Sequence, residues 1–143
     1  MVELINDREP ITQFIIEGLE KFVVEVGKPS IMGIYCCPWS GWITLNFNVT
    51  FSLEEQNYSC PDFEFVEFDI VEFQKWEEEY ESDQGVWVDD SKNYEYNFDE
   101  GDEGLNSFFY SFLKNLIFSL NEKYKLPSTI VQFLDSRICE RVI

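Results

Sequence analysis

An α+β fold is the class this sequence predicts, and three patterns predict it. Two segments, one near the start and one in the second half, carry apolar residues at helical spacing. Short runs rich in β-branched and aromatic residues lie between and after them. The chain has 143 residues, which suits a single domain spanning 1–143. The expected architecture is an antiparallel β-sheet packed against an N-terminal helix and a long Phe-rich helix in the C-terminal half. A chain this long buries roughly 68% of its unfolded surface, so it needs neither disulfide nor metal to fold. The net charge is −18, yet 45% of residues are hydrophobic and 17% aromatic, which argues for a core and against disorder.

Ile11, Phe14, Ile15, Leu19, Phe22, Val23 and Val26 predict a helix over 8–26. Asp7 is placed to cap it, Pro10 fits its first turn, and Gly27 with Pro29 ends it. Gly18 weakens that helix by about 1 kcal/mol relative to Ala. A hairpin follows: 31–36, the turn Cys37-Pro38-Trp39-Ser40-Gly41, then 42–49. In its second strand Ile43, Leu45, Phe47 and Val49 alternate with Trp42, Thr44, Asn46 and Asn48, the pattern of a half-buried antiparallel strand. Residues 52–61 read as a polar loop.

A strand is expected over 63–68, with its acidic residues along an edge. Asp69 and Glu72 are spaced like a capping box for a helix over 70–81, with Phe73, Trp76 and Tyr80 on its inner face. Residues 86–88 and 94–98 suit either two short strands or an ordered loop. Leu105, Phe108, Phe109, Phe112, Leu113, Leu116, Ile117 and Leu120 make 105–124 the strongest helix, stopped by Pro127. Residues 129–142 are ambiguous, with Ile130, Val131 and Phe133 favouring strand.

Chemistry is limited by what is missing. The chain has no histidine, so Ser-His and Cys-His nucleophile pairs are excluded. Its seven glycines are scattered and form no phosphate loop. The four cysteines, Cys36, Cys37, Cys60 and Cys139, lack zinc-site spacing and read as reduced thiols. Asp89 to Glu100 carries acids at both ends of a calcium-loop pattern, but Tyr94 stands where the turn needs glycine. The expectation is therefore no enzyme, no cofactor and no metal. The N-terminus lacks a basic region followed by an apolar run, and no run spans a membrane, which points to the cytoplasm.

What remains is charge. Twelve carboxylates fall between Glu77 and Glu103, against one basic residue, Lys92. Tyr80, Trp87, Tyr94, Tyr96 and Phe98 are interleaved with them. Carboxylates resist burial and aromatics anchor interfaces, so the stretch reads as a binding surface for a basic protein. The same charge repels nucleic acid and anionic membranes. The candidate contact residues are Asp83, Trp87, Asp89, Asp90, Tyr94 and Glu95, with Glu78 and Glu81 beside them.

The stretches Ile31-Met32-Gly33-Ile34-Tyr35, Gly41-Trp42-Ile43-Thr44-Leu45-Asn46 and Trp76-Glu77-Glu78-Glu79-Tyr80 give the chain an outline. It resembles the small acidic immunity proteins encoded beside bacterial polymorphic and contact-dependent-inhibition toxins. That resemblance implies a cytoplasmic antidote that binds one cognate toxin, often a nuclease, and blocks its active site. It carries over no functional residue. Two other readings stand beside it: a nucleic-acid mimic that inhibits a DNA-binding protein, and an acidic cation-binding or housekeeping domain.

Overall fold

A computed structural model describes residues 1–52 and 59–143. Five strands form the main sheet. In chain order they are β2 (Ile31–Cys37), β3 (Trp42–Asn48), β4 (Phe65–Glu72), β7 (Ser128–Phe133) and β8 (Cys139–Arg141). Their order across the sheet is β4-β3-β2-β7-β8. The class is α+β as expected, but the sheet is mixed: β2 runs parallel to β7, and the other pairings are antiparallel. A second, three-stranded sheet joins β1 (Val2–Glu3), β5 (Val86–Asp89) and β6 (Lys92–Glu95) in the order β1-β5-β6. Among the described residues the α-helices are α1 (Ile5–Glu25), α2 (Gln74–Glu81) and α3 (Gly101–Tyr124).

Alternation along the strands sorts the main sheet into two faces. Met32, Ile34, Cys36, Ile43, Leu45, Phe47, Val131 and Phe133 share one core with Ile11, Ile15 and Phe22 of α1 and Phe109, Phe112 and Leu116 of α3. Both long helices therefore cover the same face. Phe22 stacks on Phe47 at 4.2 Å and meets Phe65 and Phe68 edge-on. Gly18 has a positive use here: a Cβ at that position would run into the Leu45 side chain, so glycine lets α1 settle onto β3. The other face carries a smaller cluster of Ile31, Cys60, Phe63 and Ile130.

Several expectations change. The first helix starts at Ile5, three residues early, because Leu4 is buried and its amide donates to the Val88 carbonyl at 2.8 Å. Pro10 thus sits inside α1, in its second turn, where it has no N–H to donate to the Asn6 carbonyl, and Asn6 is an exposed residue. Asp7 caps nothing. It is buried, accepts a 2.9 Å hydrogen bond from Trp76 Nε1, and pairs with Lys75 Nζ at 2.6 Å. Val23 and Val26, assigned to the inner stripe, are exposed.

Strand β3 is covered on both faces rather than half-buried. Thr44, Asn46 and Asn48 are all buried, and their polar groups are occupied. Asn46 Nδ2 donates to the Gly33 carbonyl, and its Oδ1 accepts from the Glu67 amide at 2.8 Å. Asn48 Oδ1 accepts from the Glu64 amide at 2.8 Å. The Asn46 bond bridges the place where the β3–β4 register shifts between Leu45 and Phe47 and Glu67 adopts φ 49°, and the Asn48 bond extends the contact past the last paired residues, Phe47 and Phe65.

The strand expected over 63–68 runs instead from Phe65 to Glu72, and the capping box at Asp69 and Glu72 does not form. Ile70 and Val71 are β-branched, and they pair with Thr44 and Ile43 across the ladder, which outweighs the helix-start signal. The helix begins only at Gln74. Within the expected loop over 52–61, residues 53–58 lie outside the described residues, and Cys60–Asp62 form a short 3-10 turn. The open alternatives at 86–98 and 129–142 resolve to hairpin β5–β6 and strands β7 and β8.

Candidate functional site

Helix α2 sets the geometry of the acidic stretch. Phe73 and Trp76 stack at 4.3 Å, and Trp76 meets Phe109 of α3 edge-on at 4.7 Å. With Asp7 holding the indole N–H, the inner face of α2 is fixed, and Glu77, Glu78 and Glu81 are turned to solvent. Glu79 is different. Its Oε2 accepts from the Val86 amide at 3.0 Å and its Oε1 from the Met1 amino group at 2.7 Å. Burial raises its carboxyl pKa, but these hydrogen bonds outweigh that and hold it below the ordinary value. One of the four α2 carboxylates is therefore structural.

Past α2 the chain turns through Ser82–Gly85 into hairpin β5–β6, and the Tyr96 amide donates to the Gly85 carbonyl at 2.9 Å. This brings Tyr80 and Tyr96 together, with centroids 5.4 Å apart and ring planes at 84°. Both hydroxyls donate to Asp102 Oδ1 in the first turn of α3, at 2.8 and 3.1 Å. Burial and the Asp102 carboxylate push the Tyr80 phenol well above its usual value, so it stays a donor. Phe98 stands against Tyr96 at 5.4 Å and 83°, and is 88% exposed. Burying a Phe side chain is worth about 1.5–3 kcal/mol, so leaving one in water forgoes that gain. The rings and the 82–85 turn enclose an open cleft of about 520 Å³, with Glu81 and Asp83 on its walls.

The candidate residues divide between two places. Glu81 and Asp83 line the cleft; Glu78 is exposed on α2, and Glu95 is exposed on β6, opposite Val86 at the cleft end of the hairpin. Asp89 and Asp90 lie at the other end, roughly 10 Å along the strands. There they border a separate hollow of about 360 Å³ shared with Arg8, Lys92 and Phe112. Burial and then Asp90 raise the pKa of Asp89, while Lys92 and Arg8 act against that rise. The hairpin tip thus carries its own cations. It also occupies the segment that resembled a calcium loop, and among the described residues no group of three or more His, Cys, Asp or Glu side chains converges on a point.

Trp87 is a correction. It is fully buried under hairpin β5–β6, paired in register with Val2 and Tyr94, and cannot reach a partner at the surface. Tyr94 is half-buried, its ring between Trp87 and Phe108 and its hydroxyl 3.3 Å from Glu100. The aromatic side chain that faces solvent beside the carboxylates is Phe98, standing on the half-buried Tyr96. The signal that marks Phe98 is its place beyond the last strand residue, Glu95, where alternation no longer turns a side chain inward.

Comparison of the chain with protein-family models, curated proteins and solved structures finds no match. Among the described residues no helix is long and apolar enough to cross a membrane.

Proposed function

We propose that this protein is a cytoplasmic immunity protein, an antidote that neutralises a cognate basic protein toxin by binding it through the acidic aromatic cleft between α2 and residues 96–98. It acts by occupancy rather than by catalysis, and it needs no cofactor. The observation that carries the reading is the exposed Phe98, set against Tyr96 beside Glu81 and Asp83 in a molecule of net charge −18. Aromatic anchors within a charged rim are the make-up of energetic centres in protein interfaces. The outline shared with small acidic immunity proteins supports the same reading.

A nuclease is the fitting toxin class, because it needs Lys and Arg to hold phosphates, and an acidic surface competes for that groove. The charge accelerates encounter, and the aromatic anchors slow escape. Co-expression with the product of the adjacent gene tests the reading, which expects that product to be basic and toxic. The antidote restores growth and co-purifies with the toxin in low salt. A neighbouring product that is neither basic nor toxic, or a toxin that kills equally with and without this protein, refutes it.

A further inference from the structure

From the ring geometry of the cleft, we infer that it is a cage for a guanidinium group, and that its occupant is an arginine side chain of the basic partner. The inference rests on the reading of this surface as partner-binding, and it adds the chemistry of the group that enters. Tyr80 and Tyr96 stand at 84° to one another, and Tyr96 and Phe98 at 83°, each pair with centroids 5.4 Å apart. The three rings, set edge to face rather than in a flat stack, share the lining of the cleft with Glu81 and Asp83. A cation within about 6 Å of such ring centroids is held by the negative π-faces.

The ring walls are preset. Asp102 takes both tyrosine hydroxyls, which fixes Tyr80 and Tyr96 before any ligand arrives. The volume, about 520 Å³, accommodates one side chain and its water. Two carboxylates, Glu81 and Asp83, line the same cleft, and neither joins an ion pair among the described residues, where Lys75 pairs with Asp7 and the Met1 amino group with Glu79.

Arginine suits these walls better than lysine. Its planar guanidinium stacks on ring faces while its N–H groups point outward in the plane to carboxylates, and it is more weakly hydrated than an ammonium. A neutral ligand gains neither term. An apolar one leaves Glu81 and Asp83 desolvated without a partner.

The test uses the whole protein and small amides at constant ionic strength: N-acetylarginine methylamide, its lysine counterpart, and the neutral isostere N-acetylcitrulline methylamide. Ring ¹H–¹³C signals of Tyr80, Tyr96 and Phe98 are followed by NMR. The cage predicts a saturable response to the arginine amide with a millimolar Kd, a weaker response to lysine, and none to citrulline. Phe98→Leu weakens arginine binding about three- to fivefold, the contribution of one exposed cation–π contact, and leaves the urea midpoint in place.

Shifts that stay linear to about 100 mM, equal response to citrulline or to lysine, or indifference to Phe98→Leu overturns the inference. The two readings fail separately. If the neighbouring basic protein still binds while the arginine amide does not, the cage alone is wrong. If the amide binds and no basic protein does, the guanidinium cage stands, while the partner reading falls and takes the partner's arginine as occupant with it.

Discussion

The contact that fastens the cleft's supporting helix lies at the other end of the chain. Asp7, inside α1, holds Trp76 Nε1 at 2.9 Å, and Asp7 is buried while Lys75, its ionic partner, has a 47% exposed side chain. Asp7→Ala leaves the Trp76 N–H buried without an acceptor, which costs about 1–3 kcal/mol. Loss of the Lys75 pair adds at most about 1 kcal/mol, because water takes over the exposed ammonium. The sum is about 1–4 kcal/mol. Asp7→Asn keeps a carbonyl acceptor for the indole and loses only charge, so it costs about 1 kcal/mol.

Urea unfolding followed by tryptophan fluorescence measures the difference. With a slope of about 2 kcal/mol/M, Asp7→Ala lowers the midpoint by about 0.5–2 M and Asp7→Asn by no more than about 0.5 M. Lys75→Met leaves the buried Asp7 carboxylate without its counter-charge, so it lowers the midpoint by at least as much as Asp7→Asn. If Asp7→Asn unfolds as readily as Asp7→Ala, charge rather than the indole hydrogen bond holds α2, and the reasoning is wrong.

Further outcomes follow from other contacts. Trp87→Ala costs about 3–5 kcal/mol as a core deletion, whereas Trp87→Phe removes an indole N–H that has no partner among the described residues and is far milder; equal midpoints for the two variants in urea argue against burial. Gly41→Ala strains a turn at φ +73° and drives a methyl into the Phe73 carbonyl, whose own amide is bonded to Gly41, so a midpoint unchanged from wild type contradicts the hairpin geometry. Hydrogen bonds from Thr50, joined by Val49, hold the Glu64 carboxyl below its ordinary 4.5. Its contribution is present above that value and is lost as pH falls through the lower folded value, so Glu64→Gln flattens the acid limb of stability against pH; an identical limb in both proteins refutes the assignment. Burial pushes Cys37 up to about 11 despite hydrogen bonds from Ser40 and Trp39, so about one thiol in a thousand is ionised at pH 8 and iodoacetamide modifies Cys37 only after urea is added; rapid labelling of the native protein counts against it.

Where local pattern and long-range pairing agree, this sequence is readable. The Phe-rich stripe from Leu105 to Leu120 and the hairpin around Pro38-Trp39-Ser40-Gly41 appear where spacing puts them. Where they compete, pairing prevails. Ile70 and Val71 leave a helix-like spacing because β3 offers them a ladder, and Asp7 leaves a capping position because Trp76 lies across from it. Neither partner is near in sequence, so no window of residues reports it. The mixed sheet has the same origin: β2 and β7 are far apart in sequence, with Ile31 paired to Ser128.

The candidate surface was legible as charge and not as shape. Its carboxylates Glu78, Glu81, Asp83 and Glu95 are exposed, but composition could not distinguish a buried indole from a displayed ring. Trp87, two residues into the fold from Gly85, is core; Phe98, three residues beyond β6, is surface. Asp102 reads as a helix-dipole residue in sequence, and in the fold it also orients both tyrosines of the cleft.

The most direct test of the proposed charge-steered antidote is its association rate with a basic toxin, sought in the product of the adjacent gene, as salt is varied. Stopped-flow mixing between about 50 and 500 mM NaCl is expected to show the on-rate falling about tenfold or more while the off-rate changes little. Glu81→Ser with Asp83→Ser lowers the low-salt on-rate and flattens its salt dependence, whereas Phe98→Leu raises the off-rate. An on-rate indifferent to salt, or complexes unchanged by all three substitutions, contradicts both the acidic steering and the cleft as the place of contact.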